Sequence, residues 1–157
     1  MKIAPILLLL TFICIVFACT KSGNNNNKIV TVRVPDSTVI MYATLDSTLW
    51  QADSVSGLLI PMGADSGHYN LSITAKKASN FTTVNLYIGN YTGIGTYNIN
   101  PPYVTATYYK SGERHFALSG LINVSNDSTA DLQGNFNFIA DSANGLHASN
   151  GVFRFPL

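Results

Sequence analysis

The stretch LQGNFNFIA, residues 132–140, alternates apolar and polar side chains more regularly than any other part of this chain. Every second residue is apolar or glycine, with asparagine or glutamine in between at most steps. The apolar set is Leu132, Gly134, Phe136, Phe138 and Ala140. Alternation with a period of two is typical of a strand that has one face in a core and the other in water. The sequence therefore predicts a half-buried strand here.

The segments on either side repeat this pattern and predict two more strands. In residues 116–125 the alternation puts Gly120 on the same face as the apolar residues. A glycine at such a position indicates a bulge or close packing. After a polar loop at residues 141–145, a last strand carries Phe153, Phe155 and Leu157. Short loops between consecutive strands predict a C-terminal three-stranded meander. Residues 110–113, KSGE, form a suitable hairpin loop before it.

The rest of the chain continues as short strands separated by turn residues. Alternating or β-branched runs occur at residues 29–34, 39–45, 57–62, 69–75, 84–88, 95–99 and 104–109. No window shows the helical spacing i, i+3, i+4, i+7 with capping residues, so at most one helical turn is expected. The prediction is an all-β fold: an antiparallel β-sandwich or a partly open barrel of about 9–10 strands.

The N-terminus has the features of an export signal. Lys2 is followed by an apolar run to Ala18, shorter than the roughly 20 residues that a membrane-spanning helix needs. The run ends in VFAC, residues 16–19, which resembles the lipobox of bacterial lipoproteins and would make Cys19 the lipidated first residue of the mature chain. We expect a signal peptide at 1–18, a polar tether at 19–28 and a single β domain at 29–157. The alternatives are an uncleaved helix and an ordinary signal peptide that leaves a free cysteine.

Charge and cysteine content exclude several classes of protein. The chain has nine Lys plus Arg and eight Asp plus Glu, and loss of Lys2 with the signal balances them. Nucleic acids are bound by clustered Lys and Arg, so no nucleic-acid partner is expected. Cys14 leaves with the signal and Cys19 is used by lipid, so no disulfide is expected. The predicted membrane contact is the N-terminal lipid.

Several motifs in order resemble those of small uncharacterised all-β lipoproteins of the Bacteroidota. They are Trp50-Gln51-Ala52, GTYNI at 95–99, SGLINV at 119–124, GNFNFIA at 134–140 and NGVFRF at 150–155. The resemblance implies an all-β domain in the cell envelope and carries no activity with it. We expect an outer membrane lipoprotein that faces either the periplasm or the cell surface.

Groups for catalysis or metal binding are sparse. His68, His115 and His147 lie far apart without a zinc-binding spacing, and no nucleophile motif is present. Residues 126–131 and 141–144 are rich in oxygen ligands, but turn chemistry explains them more simply than calcium. We predict no catalytic site, no metal, no cofactor and no enzymatic activity; a hydrolase is the weakest of the functional hypotheses.

Six of the seven aspartates are followed directly by serine. Asp-Ser pairs start turns, because both side chains bond to nearby backbone groups. Five of the pairs also resemble the acceptor motif of Bacteroidota protein O-glycosylation. The candidate O-glycosylation sites are Ser37, Ser47, Ser54, Ser128 and Ser142. Both interpretations require exposed loops.

A non-catalytic binding or structural β domain is the leading functional hypothesis. Aromatic rings provide a large contact area with a polar tip, and the alternative role for each ring is packing in the core. The candidate exposed contacts are Trp50, Tyr87, Tyr91, Tyr103 and Tyr109. The partner could be a protein, a glycan or a small apolar ligand. The alternative hypothesis is a lipocalin-like barrel that carries a small apolar ligand.

Overall fold

The computed structural model describes residues 40–63, 67–128, 131–140 and 145–156, together with the backbone of residues 28–30. The predicted signal peptide, the lipidation site Cys19 and most of the tether lie outside these residues. Two of the candidate glycosylation sites, Ser37 and Ser142, lie outside them as well.

Eleven strands and a single 3₁₀ turn, Ala78–Asn80, make up the described fold. The strands are β1 (Lys28–Val30), β2 (Ile40–Leu45), β3 (Thr48–Gln51), β4 (Ser54–Pro61), β5 (Tyr69–Lys77), β6 (Thr82–Tyr91), β7 (Gly95–Asn98), β8 (Val104–Lys110), β9 (Glu113–Ser128), β10 (Asp131–Ala140) and β11 (Leu146–Phe155). The expectation of one helical turn at most is confirmed for the described part of the chain.

All the strand pairs are antiparallel and belong to one curled sheet that forms a half-barrel. The order across the sheet is β1-β4-β5-β6-β8-β9-β10-β11-β2-β3, and β7 adds to β9 beside this path. The predicted all-β, partly open barrel is confirmed, and so is the C-terminal meander of β9, β10 and β11. The last strand, β11, pairs with β2 near the start of the domain.

The inner face of the half-barrel is filled by apolar side chains from nearly every strand. Phe136, Phe153 and Phe155 are buried there almost completely. The ring of Phe155 on β11 lies against Gly57 on β4, where a Cβ atom would come within 2.3 Å of the ring. A strand of the C-terminal meander therefore packs directly across the interior on an early strand. This filled interior gives no support to a lumen for an apolar ligand.

Two reciprocal glycine–phenylalanine pairs join β10 to β11. Gly134 is the register partner of Phe153, and Phe136 is the register partner of Gly151. A Cβ atom on Gly134 would lie 2.3 Å from the Phe153 ring, and one on Gly151 would lie 2.5 Å from the Phe136 ring. Each ring therefore occupies the space that the opposite glycine leaves free. This packing explains why the alternating pattern contains glycine at apolar positions.

Close packing at Gly120, expected from the sequence, is confirmed. A Cβ atom there would lie 2.2 Å from the carbonyl oxygen of Asn137, and its φ of +136° is one that residues with side chains rarely adopt. The pairing of β9 with β10 shifts register just beyond this point, between Ile139 and Ala140. On the other edge of β9, pairing with β8 ends at Phe116 and pairing with β7 starts at Leu121. Gly120 thus lies where this edge passes from one partner strand to the other.

Two tight hairpins lie at one end of the half-barrel. Ser111 and Gly112 connect β8 to β9 with φ values of 53° and 88°, so the predicted hairpin loop is confirmed. Asp46 and Ser47 connect β2 to β3 with φ values of 48° and 68°. Positive φ at both central residues matches the twist of paired strands. These two hairpins form the walls of a pocket described below.

Candidate functional site

Two of the five aromatic residues predicted to be exposed are buried. Trp50 is 3% exposed because its register partner is Ala43, a residue of the inner face, so the indole packs inward. Tyr91 is 1% exposed, because Asn90 has a positive φ and the register between β5 and β6 shifts there. The ring of Tyr91 then packs inside, with its centroid 5.7 Å from that of Tyr97. The prediction of exposed contacts at Trp50 and Tyr91 is wrong.

The other three aromatic candidates remain accessible. Tyr103 is 67% exposed in the turn before β8. Tyr87 on β6 and Tyr109 on β8 are half-buried on the outer face of the sheet. Tyr103 precedes β8 and Tyr109 lies near the end of β8, so the two residues are about 20 Å apart along an extended strand.

The aspartates of the Asp-Ser pairs hold loops together. Both backbone and side chain of Asp46 bond to His147: its N–H donates to the His147 carbonyl at 3.0 Å, and its Oδ1 accepts the His147 N–H at 3.1 Å. Asp53 accepts the backbone N–H of Ala78 at 2.7 Å. Asp46-Ser47 forms the β2–β3 turn, as expected from the sequence. The bonds of Asp46 and Asp53 join these residues to distant parts of the fold.

The described glycosylation candidates, Ser47, Ser54 and Ser128, are exposed. The hydroxyl of Ser128 accepts the backbone N–H of Asp131 at 3.1 Å and donates to its carbonyl at 3.3 Å. Asp131 in turn accepts bonds from Arg154, at 2.9 Å, and from Gln133. Glycosylation of these serines stays a prediction.

The histidines lie on three separate parts of the fold. His68 precedes β5, His115 is on β9 and His147 is on β11. Among the described residues, no three His, Cys, Asp or Glu side chains group closely enough to hold a metal ion.

An open groove crosses the outer face of β5, β6 and β8. We call it the outer groove; it has a volume of about 460 Å³ and is lined by Thr74, Lys76, Phe81, Thr83, Asn85 and Tyr109, with Gly112 at its end. Phe81, 82% exposed at a left-handed turn, and Tyr109 provide its aromatic walls. The Asn85 amide donates to the Thr107 hydroxyl at 3.4 Å beneath it. The groove thus combines aromatic walls with a floor of hydroxyl and amide groups.

Arg114 on β9 extends this surface beside the outer groove. Its guanidinium lies 4.2 Å from the centroid of the Phe116 ring and 5.5 Å from that of Tyr109. A cation above aromatic faces is attracted by their electron-rich centres. Arg114 therefore keeps its positive charge on the same outer surface as Lys76.

A smaller pocket opens at the end of the half-barrel, between the β2–β3 and β8–β9 hairpins. We call it the mouth pocket; it has a volume of about 250 Å³, and its polar lining includes Asp46, Trp50, Lys77, Thr82, Tyr108 and Lys110. Lys77 on β5 is the register partner of Thr82 on β6. The preceding pair on the same face of the sheet is Ala75 and Val84, which are both buried in the core. The mouth pocket thus continues the inner face of the sheet.

Charges and buried polar groups meet in the mouth pocket. Lys110 Nζ lies 3.5 Å from Asp46 Oδ2. Burial raises the pKa of Tyr108 above its ordinary value, and the negative charge of Asp46 adds to this. The Tyr108 hydroxyl therefore stays protonated at neutral pH and available as a donor. Trp50 Nε1 is buried without a hydrogen-bond partner among the described residues.

Sequence reasoning did not single out Phe81, Arg114 or Lys77. Lys76 and Lys77 are adjacent in sequence, but the alternation along β5 sends them to opposite faces, one to each site. The alternation of Leu71, Ile73 and Ala75 in the sequence is enough to predict that Lys76 and Lys77 lie on opposite faces of the sheet.

The described residues contain no helix long and apolar enough to cross a membrane. The outer groove and the mouth pocket are surface sites of ligand size on an all-β half-barrel domain with a packed interior. The chain belongs to the DUF6252 family, a domain of unknown function that matches residues 37–155. Comparison with curated proteins finds no match, and comparison with solved structures finds none either.

Proposed function

We propose that this protein is a lipid-anchored, non-catalytic binding domain of the bacterial cell envelope, and that it binds acidic glycan chains in the outer groove. Cys19 carries the anchor, and the β domain presents the groove away from the packed interior. The protein belongs to the small all-β lipoproteins of the Bacteroidota that its motifs resemble. Its place is the outer membrane, on the periplasmic side or at the cell surface.

The observation that carries the glycan proposal is the pairing of exposed rings with polar groups on one face. Phe81 is 82% exposed, and Phe116 on β9, the strand next to β8, is 50% exposed. Large exposed rings lack a role in the core of this domain, and exposed apolar patches mark binding surfaces. The groove between Phe81 and Tyr109 is open along its length, which suits a chain-like ligand more than an enclosed small molecule.

The chemistry of the groove favours a sugar over a protein partner. Aromatic faces stack on the apolar faces of sugar rings, while Thr74, Thr83 and Asn85 offer hydroxyl and amide groups to sugar hydroxyls. Lys76 lines the groove and Arg114 borders it, so the local charge is positive. Charge complementarity therefore selects glycans that carry carboxylate or sulfate groups.

Removal of either groove wall tests the glycan proposal. We expect Phe81→Ala and Tyr109→Ala each to weaken binding to immobilised acidic polysaccharides by about tenfold, as loss of a central aromatic contact does in other interfaces. Binding is measured on an array that carries acidic and neutral polysaccharides. Tyr103→Ala is the matched control, because it removes an accessible tyrosine that lies outside the groove, at the other end of β8.

The array also separates the competing interpretations. Equal binding of Tyr109→Ala and the unaltered protein to every acidic glycan, or no glycan binding by the unaltered protein, would contradict the proposal. In the second case a pull-down from envelope extract that depends on Phe81 and Tyr109 would assign the groove to a protein partner instead.

The anchor is tested separately. We expect the unaltered protein in the membrane fraction and a Cys19→Ala variant in the soluble fraction, because two or more acyl chains give stable membrane attachment. Cys14→Ala is the control, since Cys14 lies within the signal peptide. Protease treatment of intact cells then distinguishes the cell surface from the periplasmic side. Equal fractionation of Cys19→Ala and the unaltered protein would rule out the lipid anchor.

A further inference from the structure

The mouth pocket contains a buried hydrogen-bond donor that lacks an acceptor among the described residues. Trp50 is 3% exposed, lines the pocket, and keeps its indole N–H unpaired among the described residues. An indole N–H donates only, and a lysine ammonium group offers three donors and no acceptor. The Tyr108 hydroxyl belongs to the same lining, whereas the Thr82 hydroxyl already donates to the Asn80 carbonyl at 3.4 Å. The one buried acceptor without a hydrogen bond among the described lining residues is Asp46 Oδ2, which lies 3.5 Å from Lys110 Nζ. The indole N–H of Trp50 and the ammonium group of Lys77 therefore require acceptors from a ligand.

The charges of the pocket leave one positive charge uncompensated. The Asp46 carboxylate lies beside Lys110, at 3.5 Å, so these two charges offset each other. Lys77 makes no ion pair within the described parts of the chain, and it lines the pocket from the inner face of β5. A partly enclosed site with a net positive charge favours an anion, because screening by solvent is weaker there than on an open surface.

We propose that the mouth pocket binds a small molecule through a phosphate or carboxylate group, which accepts hydrogen bonds from Trp50 and Lys77. The apolar side chains of Leu45 and Leu49 line the same pocket and contact the remainder of the ligand. The volume of about 250 Å³ is near the lower end of the roughly 300–1,000 Å³ common for small-molecule sites. The site is thus too small for a polymer, and it is independent of the outer groove.

Other ligand classes fit the lining less well. A metal cation would find a single carboxylate, Asp46, which is already beside Lys110. A purely apolar ligand would leave the indole N–H and the ammonium group of Lys77 without acceptors, which costs free energy in a partly dry site.

The protein contains a built-in reporter for this pocket. Trp50 is the only tryptophan of the chain, so the tryptophan emission spectrum reports on this site alone. The experiment titrates inorganic phosphate and D-glucuronate into the full-length protein in mild detergent and follows that emission. D-Glucose serves as the neutral counterpart of glucuronate. We expect a saturable change with at least one of the two anions and none with glucose.

Variants at two adjacent lysines locate the binding. Lys77→Gln removes the positive charge of Lys77 from the pocket. It is expected to weaken binding of the anion about tenfold, as loss of a hydrogen bond to a charged group does. Lys76→Gln removes the same charge from the opposite face of β5 and should leave the emission response unchanged. Lys77→Arg, which keeps the charge, is expected to retain most of the affinity. High salt should weaken binding to the unaltered protein.

Each outcome either supports or overturns the site. A response to phosphate alone identifies a phosphate-bearing ligand, and a response to glucuronate alone identifies a carboxylate-bearing one; either supports the proposal. It is overturned by an unchanged spectrum with both anions at millimolar concentration, by an equal response to glucose, or by equal affinity in Lys77→Gln and Lys76→Gln. The anion titrations and their salt dependence use the unaltered protein, so they test the site even if a Lys77 variant misfolds.

Discussion

Phe153→Ala is expected to lower the free energy of unfolding by about 3–5 kcal/mol, the cost seen when a buried phenylalanine is truncated in a tight core. Phe153 is completely buried, and its ring fills the space above Gly134. Gly134 on the partner strand has no side chain that could move into the cavity, so the structure around the cavity can relax only a little. Domains of this size unfold with a free energy of roughly 5–15 kcal/mol, so the variant should lose a large fraction of its stability.

The measurement for Phe153→Ala is equilibrium unfolding in urea, followed by the emission of Trp50. Phe81→Ala is the matched control: it removes the same side chain from a position that is 82% exposed, and we expect a change within about 0.5 kcal/mol. A loss below about 1 kcal/mol for Phe153→Ala would show that this ring is not packed as described.

Gly134→Ala is expected to cost about 3 kcal/mol, although it adds only a methyl group. The new Cβ atom would lie 2.2 Å from the carbonyl oxygen of Asn123 and 2.3 Å from the Phe153 ring, and neither contact is physically acceptable. Overfilling a packed core costs about 1–3 kcal/mol where side chains alone can move, and the Asn123 contact involves backbone. Gly95→Ala is the control, because the nearest atom to its Cβ would be 3.8 Å away.

A double-mutant cycle tests whether Gly134 and Phe153 act as a pair. In a Phe153→Leu background the smaller side chain removes part of the clash, so Gly134→Ala should cost about 1–2 kcal/mol less than in the unaltered protein. Strict additivity of the two changes would contradict the reciprocal packing of β10 and β11.

The strands with strict alternation were predictable, because burial of one face is a local property of the sequence. The meander of β9, β10 and β11, the hairpin at Ser111 and Gly112, and the tight packing at Gly120 all follow from residues close together in the chain. Each of these features needs only the period of two and the turn preferences of glycine.

The errors occur where long-range register decides the outcome. Trp50 sits in the four-residue strand β3, too short for alternation to assign a face, and its burial follows from pairing with β2. Tyr91 faces inward because the irregularity at Asn90 reverses the alternation of β6. The mouth pocket joins Asp46, Lys77 and Lys110 from separate hairpins, and no local pattern links them.

The junction of β11 with β2 has a consequence for when the domain can complete its fold. Asp46 and His147, bonded across this junction, are 101 residues apart in sequence. Antiparallel pairing of such distant segments cannot begin until the last strand is available, and contacts of high sequence separation form slowly. A chain that emerges N-terminus first therefore remains without a completed core until β11 is available. The order of the strands in the sheet thus delays closure of the half-barrel until the last strand has been made.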